Sequence, residues 1–135
     1  MFAETFVLLY TAHLLSDYPL QTDHQAAHKA DHGRAGWSAN FQHAGTHVVV
    51  SAALLALGDW ALDLDLSTAY AAGALAWIGI SHSIIDRRRG VLAWMRLARQ
   101  EKFREHGNGA AHVDQTAHVV ALVLASLALA WGAAS

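Results

Sequence analysis

Four long apolar segments, separated by polar connectors, dominate the pattern of hydrophobic and polar positions along this chain. Each is about as long as the roughly 20 residues that a helix needs to cross the hydrocarbon core of a bilayer. We therefore predict an all-α fold, a four-helix transmembrane bundle with short interfacial amphipathic helices, forming one integral membrane domain over residues 1–135. The predicted spans cover residues 2–20, 37–57, 67–86 and 112–134.

Two of the connectors are polar and basic, and they predict the interfacial helices. Residues 21–36 contain His24, His28 and His32 at four-residue steps, which we interpret as a solvated helical face and leave outside the site. Residues 91–105 alternate apolar and basic positions with the spacing of an amphipathic helix that lies on anionic headgroups.

The placement of charge predicts the orientation in the membrane. All nine Lys and Arg lie in residues 21–36 or 87–111, and none lies near either terminus or in the acidic loop predicted at residues 58–66. Because cytoplasmic connectors of membrane proteins carry the excess of basic residues, we predict cytoplasmic basic loops, extracytoplasmic termini and insertion in the inner (cytoplasmic) membrane. The formal net charge of −2 argues against a nucleic-acid partner, which requires a basic excess.

Each apolar segment carries one pair of metal-ligand residue types four positions apart, a spacing that places both side chains on one helix face. In the predicted membrane orientation, all four pairs lie at a similar depth in the bilayer. A charged side chain at the centre of a membrane helix costs about 2.5–3.5 kcal/mol, so such residues need partners inside the bundle. The pairs are His13/Asp17, His43/His47, His82/Asp86 and Asp114/His118.

Metal ions are the partners that suit this mixture of imidazoles and carboxylates, and the absence of Cys excludes a thiolate site. Eight ligands are too many for one tetrahedral ion, so we predict two divalent ions, Zn in first place with Mn or Fe as alternatives, about 3.5–4 Å apart. The carboxylates Asp17, Asp86 and Asp114 are the candidate catalytic residues, and water activated at the metals is the predicted nucleophile. Gln21 and Gln115 are predicted to hydrogen-bond and orient the ligands.

Arg87, Arg88 and Arg89 directly follow the third segment and are the candidate substrate-binding residues for an anionic headgroup. The alternative is that they only anchor the helix on the cytoplasmic side. Together with two metal ions, they predict a hydrolase that acts from the cytoplasmic side on a membrane lipid or another lipid-linked or amphipathic substrate that bears phosphate.

Three other functions remain open. Interhelical His–Asp hydrogen bonds would fix a structural or interaction protein without metal, intramembrane His and Asp residues also serve metal or proton transport, and His clusters at helical spacing occur in di-iron lipid oxygenases. Residues 48–57, 69–77 and 119–131 offer no polar continuation toward the outer side. That asymmetry favours a pocket open on one side over a transport path.

The paired residues stand within longer motifs: His-Leu-Leu-x-Asp-Tyr-Pro-Leu-Gln at residues 13–21 with Lys29 downstream, His-x3-His at 43–47, His-x3-Asp at 82–86 and Asp-Gln-x2-His at 114–118. This combination resembles a family of small bacterial and phage polytopic membrane proteins with no assigned function. It is more distantly similar to the LexA-regulated membrane-bound metal-dependent hydrolases. The resemblance spans nearly the whole chain and implies a polytopic membrane protein with hydrolase activity.

Overall fold

The computed structural model describes residues 1–134, and that part of the chain is helical and contains no strand. The predicted all-α class is confirmed. The helices are α1 (Phe2–Asp17), α2 (Asp23–His28), α3 (Gly33–Leu62), α4 (Thr68–Asp86), α5 (Arg89–Leu97), α6 (Glu101–His106) and α7 (Gly109–Gly132).

The four longest helices pack around one another in a closed ring, in which α1 contacts α3, α3 contacts α4, α4 contacts α7 and α7 returns to α1. Their apolar core includes Leu9, Leu55, Ile78 and Leu122, one from each helix of the ring. Each of these residues lies within two or three turns of that helix's predicted ligand pair. The core therefore fills the half of the bundle next to the pairs.

Three of these helices, α3, α4 and α7, are long and apolar enough to cross a membrane by length and composition. The predicted spans 67–86 and 112–134 match α4 and α7 to within three residues at each end. The first predicted span, 2–20, is too long, because α1 ends at Asp17 ahead of Pro19 and has only 16 residues. At 1.5 Å per residue it is about 24 Å long, less than the roughly 30 Å of a hydrocarbon core.

The outer surface of the ring carries many large apolar side chains, as a membrane protein requires. Val7, Val49, Ile80 and Val120 are each more than half exposed. Contiguous apolar surface of this kind is rare on soluble monomers, and acyl chains would cover it. The exposed apolar belt and the three candidate spans together indicate a membrane protein.

The second predicted span, 37–57, is too short at both ends. Helix α3 begins four residues earlier and ends five residues later, so that most of the loop predicted at 58–66 is helical. The helix ends where Asp63 adopts a left-handed conformation with φ 53°. Beyond it, the backbone N–H of Leu66 donates to Oδ1 of Asp59 at 2.8 Å. Asp59 therefore closes the turn between α3 and α4, a local role that composition did not reveal.

The predicted short helix in the connector 21–36 is α2, which has six residues. Thr22 and Gln25 form a capping box at its start, since each side chain accepts a hydrogen bond from the other residue's backbone N–H. This cap fixes the start of α2, and the helix packs against α3.

The single amphipathic helix predicted at 91–105 is instead two helices, α5 and α6. They are separated at Arg99, whose φ of 55° is incompatible with a continuous helix. Helix α5 buries Val91 and Met95 against α4 and α7. It therefore closes one end of the ring, the end at which α4 stops and α7 starts.

Candidate metal centre

The four predicted pairs meet at one end of the ring, beside the connectors that contain α2 and α5. Four-residue spacing places both members of each pair on the inward face of their helix. In seven of the eight residues the side chain is at most 7% exposed: His13, Asp17, His43, His47, His82, Asp86 and His118.

Asp17, at the end of α1, is the centre of the first group. Its Oδ1 lies 3.1 Å from Nε2 of His43, 3.1 Å from Nε2 of His47 and 3.8 Å from Nε2 of His82. One donor atom from each of these four residues lies within 4.8 Å of all the others, close enough to hold one metal ion. The other oxygen, Oδ2, lies 3.2 Å from Nε2 of His13, which places that imidazole at the edge of the group.

Asp86, at the end of α4, is the centre of the second group. Its Oδ2 lies 3.2 Å from Nε2 of His82, and its Oδ1 lies 4.0 Å from Nε2 of His118. These three residues also present donor atoms within 4.8 Å of one another. His82 belongs to both groups, so the two groups share a border within one cluster.

The contacts of His43 exceed what an imidazole nitrogen can satisfy. Its Nε2 lies 3.1 Å from Oδ1 of Asp17, 3.1 Å from Nε2 of Gln21, 3.1 Å from Nζ of Lys29 and 3.5 Å from Oδ2 of Asp86. A ring nitrogen either donates one proton or accepts through one lone pair. Polar atoms thus converge on this point in a way that hydrogen bonding alone does not explain.

Other buried atoms of the cluster have no hydrogen-bond partner among the described residues. They are Nε2 of His82, Oδ2 of Asp86 and Nε2 of His118, and also Nδ1 of His13 and of His43. The first two lie close to each other but are not aligned as a hydrogen bond. Buried polar atoms are almost always hydrogen-bonded, so three unsatisfied ligand atoms around one point need another partner. Imidazole nitrogens and a carboxylate oxygen are the donor types that divalent transition metals prefer. The residues present therefore fit a metal ion.

Asp114 lies outside both groups, whereas the sequence predicts it as a direct metal ligand. Its backbone carbonyl accepts from Nδ1 of His118 at 3.0 Å, and its Oδ2 lies 3.4 Å from the same nitrogen. Nδ1 is the ring nitrogen opposite the one that faces Asp86. Asp114 is thus placed to orient His118 from behind, as carboxylates do for metal-binding imidazoles.

The two glutamines predicted to orient ligands both contact them. Gln21 meets Nε2 of His43. Gln115 donates from Nε2 to Oδ2 of Asp17 at 3.0 Å, and its Oε1 lies 3.1 Å from Nε2 of His13. Gln115 therefore joins α7 to the two ligand residues of α1.

Sequence reasoning missed Lys29, whose side chain is only 13% exposed. Its Nζ lies 3.1 Å from Oδ1 of Asp86 and 3.1 Å from Nε2 of His43, so it supplies a positive charge inside the cluster. Its position downstream of the motif at 13–21 could have indicated a role in the site. Its charge was instead interpreted only as a determinant of orientation in the membrane. His28, one residue earlier, pairs with Asp31 at the surface and stays outside the site, as interpreted from the sequence.

The three arginines predicted to bind substrate have different surroundings. The guanidinium of Arg87 lies 4.4 Å from the ring centroid of Trp37 and donates to the carbonyl oxygen of Lys29 at 3.1 Å. Arg89 lies 3.1 Å from Nδ1 of His32. Only Arg88 lines a cavity that also contains a residue of the cluster.

These features define the class of protein as an all-helical membrane protein with a buried His/Asp cluster that could hold a metal ion. The chain belongs to a family described as "Protein of unknown function (DUF3307)", whose model matches residues 5–135. No curated protein and no solved structure matches it. The match confirms the predicted resemblance to a family with no assigned function.

Proposed function

We propose that this protein is a membrane-embedded di-metal hydrolase that acts from the cytoplasmic side on a lipid-linked or amphipathic substrate bearing phosphate. The observation that carries the proposal is the pair of adjoining groups of buried ligand atoms, one around Asp17 and one around Asp86. The shared border at His82 brings the two groups close enough for two ions to act on one substrate.

Each group would hold one ion through three protein ligands and leave a position for water or substrate, the arrangement of catalytic zinc sites. Because Nε2 of His82 can bind only one ion, we assign it to the second group, where Asp86 and His118 alone would be too few. The proposed ligands are Asp17, His43 and His47 for the first ion and His82, Asp86 and His118 for the second.

The charge balance supports a bound cation. Asp17 and Asp86 are two buried carboxylates, and Lys29 is the nearby ammonium that pairs with one of them. An uncompensated buried charge is strongly destabilising. In a metal-free bundle the charge of Asp17 would be compensated only if a neighbouring imidazole were protonated, whereas divalent ions neutralise both groups and replace the contacts that His43 cannot satisfy.

The proposed membrane arrangement has four spans, with α1 as the fourth beside α3, α4 and α7. A helix shorter than the hydrocarbon core is accommodated by local thinning of the bilayer at modest cost. All nine Lys and Arg lie at the end of the ring that contains the cluster, which supports cytoplasmic basic connectors, extracytoplasmic termini and insertion in the inner membrane. The cluster would then open toward the cytoplasm.

Two bound ions would supply a water of lowered pKa and polarise the phosphoryl oxygens of a substrate. The protein residues hold and orient this centre. Asp114 and Gln115 fix the rings of His118 and His13, respectively. In the proposed arrangement, the apolar core lies on the extracytoplasmic side of the cluster and separates the cluster from bulk water on that side.

Phosphate release from an amphipathic phosphate ester tests the proposal. We expect purified protein loaded with Zn or Mn to release phosphate from dodecyl phosphate, and we expect Asp17→Asn to release only the uncatalysed amount. Asp23→Asn, which makes the same chemical change at an exposed position of α2, is the matched control and should behave as wild type. Metal-loaded wild type that releases no more phosphate than Asp17→Asn, from this ester and from lysophosphatidic acid, would overturn the proposed reaction.

A further inference from the structure

We propose that Arg88 binds the anionic group of the substrate in a polar cavity beside Asp86, and that the apolar chain of the same molecule lies in an adjoining groove. This inference rests on the proposed function and deepens it. It assigns the substrate class, a phosphate-bearing lipid, and separates the roles of three consecutive arginines.

The polar cavity lies where α4 ends and where α5 and α7 begin, and its volume is about 330 Å³. Asp86 forms part of its wall, so the cavity reaches the second ligand group directly. Arg88, Asn108, Asp114 and Gln115 provide further polar lining. A group bound here would touch a proposed metal ligand, which makes the cavity the natural position for the reacting end of a substrate.

Arg88 is the one arginine of the three that is free to bind an anion in this cavity. It adopts a left-handed conformation, φ 59°, in the turn between α4 and α5. Within residues 1–134 its guanidinium has no ion pair or hydrogen bond, whereas Arg87 and Arg89 contact Trp37 and His32, respectively. A planar guanidinium matches phosphate geometry with two parallel hydrogen bonds.

The apolar groove lies between α4, α5 and α7, has a volume of about 450 Å³ and is lined by residues that include Ile84, Trp94 and Ala117. It shares Val91 with the polar cavity, so the two spaces adjoin. Ile84 and Trp94 are exposed on the outer surface, which faces acyl chains in the proposed arrangement. A lipid could therefore place its headgroup beside Asp86 without its chain leaving an apolar environment.

Charge predicts that anion binding in the cavity depends on metal. Without metal the cavity wall contains two carboxylates, Asp86 and Asp114, and one guanidinium, and Lys29 pairs with Asp86. These charges cancel, so no net positive charge attracts an anion. Divalent ions on the ligand groups make this balance positive. The start of α7, which contributes its N-cap residue Asn108 and Ala110 of its first turn to the wall, adds the positive end of a long helix dipole.

Binding of dodecylphosphonate, which has no phosphate ester bond to hydrolyse, to zinc-loaded protein in phosphatidylcholine nanodiscs tests the inference, with zinc content and melting temperature measured on every sample. We expect Arg88→Gln to weaken binding roughly tenfold or more, since the charge-assisted hydrogen bonds from the guanidinium to the anion are lost. Arg89→Gln is the matched control in the next position. Because Arg89 contacts His32 and does not line the cavity, the affinity of this variant should stay within about twofold of wild type. Ala117→Phe, which fills the groove, should weaken the binding of dodecylphosphonate but leave the binding of inorganic phosphate unchanged.

Four results would overturn the inference. Equal weakening by Arg88→Gln and Arg89→Gln would show that only general surface charge acts. Inorganic phosphate that binds as tightly as dodecylphosphonate would assign the cavity to a soluble anion. Zinc-loaded protein whose binding is insensitive to Arg88 would leave the proposed metal centre intact and remove this site, whereas a protein that takes up no zinc would remove both.

Discussion

Replacing Asp17 with Asn is the perturbation whose effect the structure defines most sharply. The change keeps the size of the side chain and removes one charge. Oδ1 of Asp17 meets His43 and His47, and Oδ2 accepts from Gln115. Of the two buried carboxylates, Asp17 is the one that does not contact Lys29, so its replacement does not also leave an ammonium unpaired.

The expected loss of stability follows from linkage. An ion present at 100 times its dissociation constant stabilises the folded state by about 2.7 kcal/mol. Without metal, the amide oxygen of Asn still accepts a hydrogen bond, so only the extra strength of bonds to a charged group is lost, about 1 kcal/mol. Taking about 3–5 °C per kcal/mol for a domain of this size, we expect removal of the first ion to lower the melting temperature by roughly 10 °C.

Tryptophan fluorescence during heating in detergent, with and without chelator, measures both terms. The chelator should lower the melting temperature of wild type strongly and that of Asp17→Asn by about half as much, because the variant has already lost one of two ions. Asp23→Asn should respond to chelator as wild type does. Equal melting temperatures for wild type with and without chelator, or a variant as stable as wild type in the presence of metal, would refute the reasoning.

Three further predictions concern the surroundings of the cluster. Asp114→Asn should retain the bound metal but weaken its affinity about tenfold, as measured by titration with a competing chelator, because Nδ1 of His118 loses the nearby carboxylate and keeps only the backbone carbonyl of residue 114; unchanged affinity would leave the Asp114 carboxylate without a role at the site. Lys29→Met should lower the melting temperature of the metal-free protein and enlarge the rise on adding metal, because Asp86 loses its counter-charge and a competing cation is gone; an unchanged rise would place Lys29 outside the centre. A reporter fused to the C-terminus should report an extracytoplasmic location, and a cytoplasmic signal would mean that the number of spans or their orientation is wrong.

The fold was predictable to the extent that hydrophobic length determines it. The spans at 67–86 and 112–134 have clear polar ends, and the structure places α4 and α7 there. The end of α3 was missed because the acidic residues after 57 predict a loop, whereas Asp59 continues the helix and closes the following turn through its carboxylate. Composition does not distinguish a solvated carboxylate from one that accepts a local backbone N–H.

The cluster was predictable because helical periodicity alone places paired ligands on an inward face. Residues outside a long helix, or at its start, were less predictable. Lys29 reaches Asp86 only because α2 folds back against α3, which depends on tertiary contacts. Asp114 shares a face with His118, but which of the two meets the cluster depends on side-chain direction and not on spacing. Arg88 has different surroundings from Arg87 and Arg89 because its backbone adopts a left-handed conformation. Three consecutive arginines give no indication of which one adopts it.

The most direct test of the central claim is the transition-metal content of detergent-purified protein, measured by elemental mass spectrometry on wild type, Asp17→Asn and Asp86→Asn. The proposed centre predicts about two ions per chain for wild type and about one for each variant, since each loses one ligand group. Folded wild type that contains no transition metal, and takes up none when Zn, Mn or Fe is supplied, would contradict the account and leave a hydrogen-bonded helical bundle.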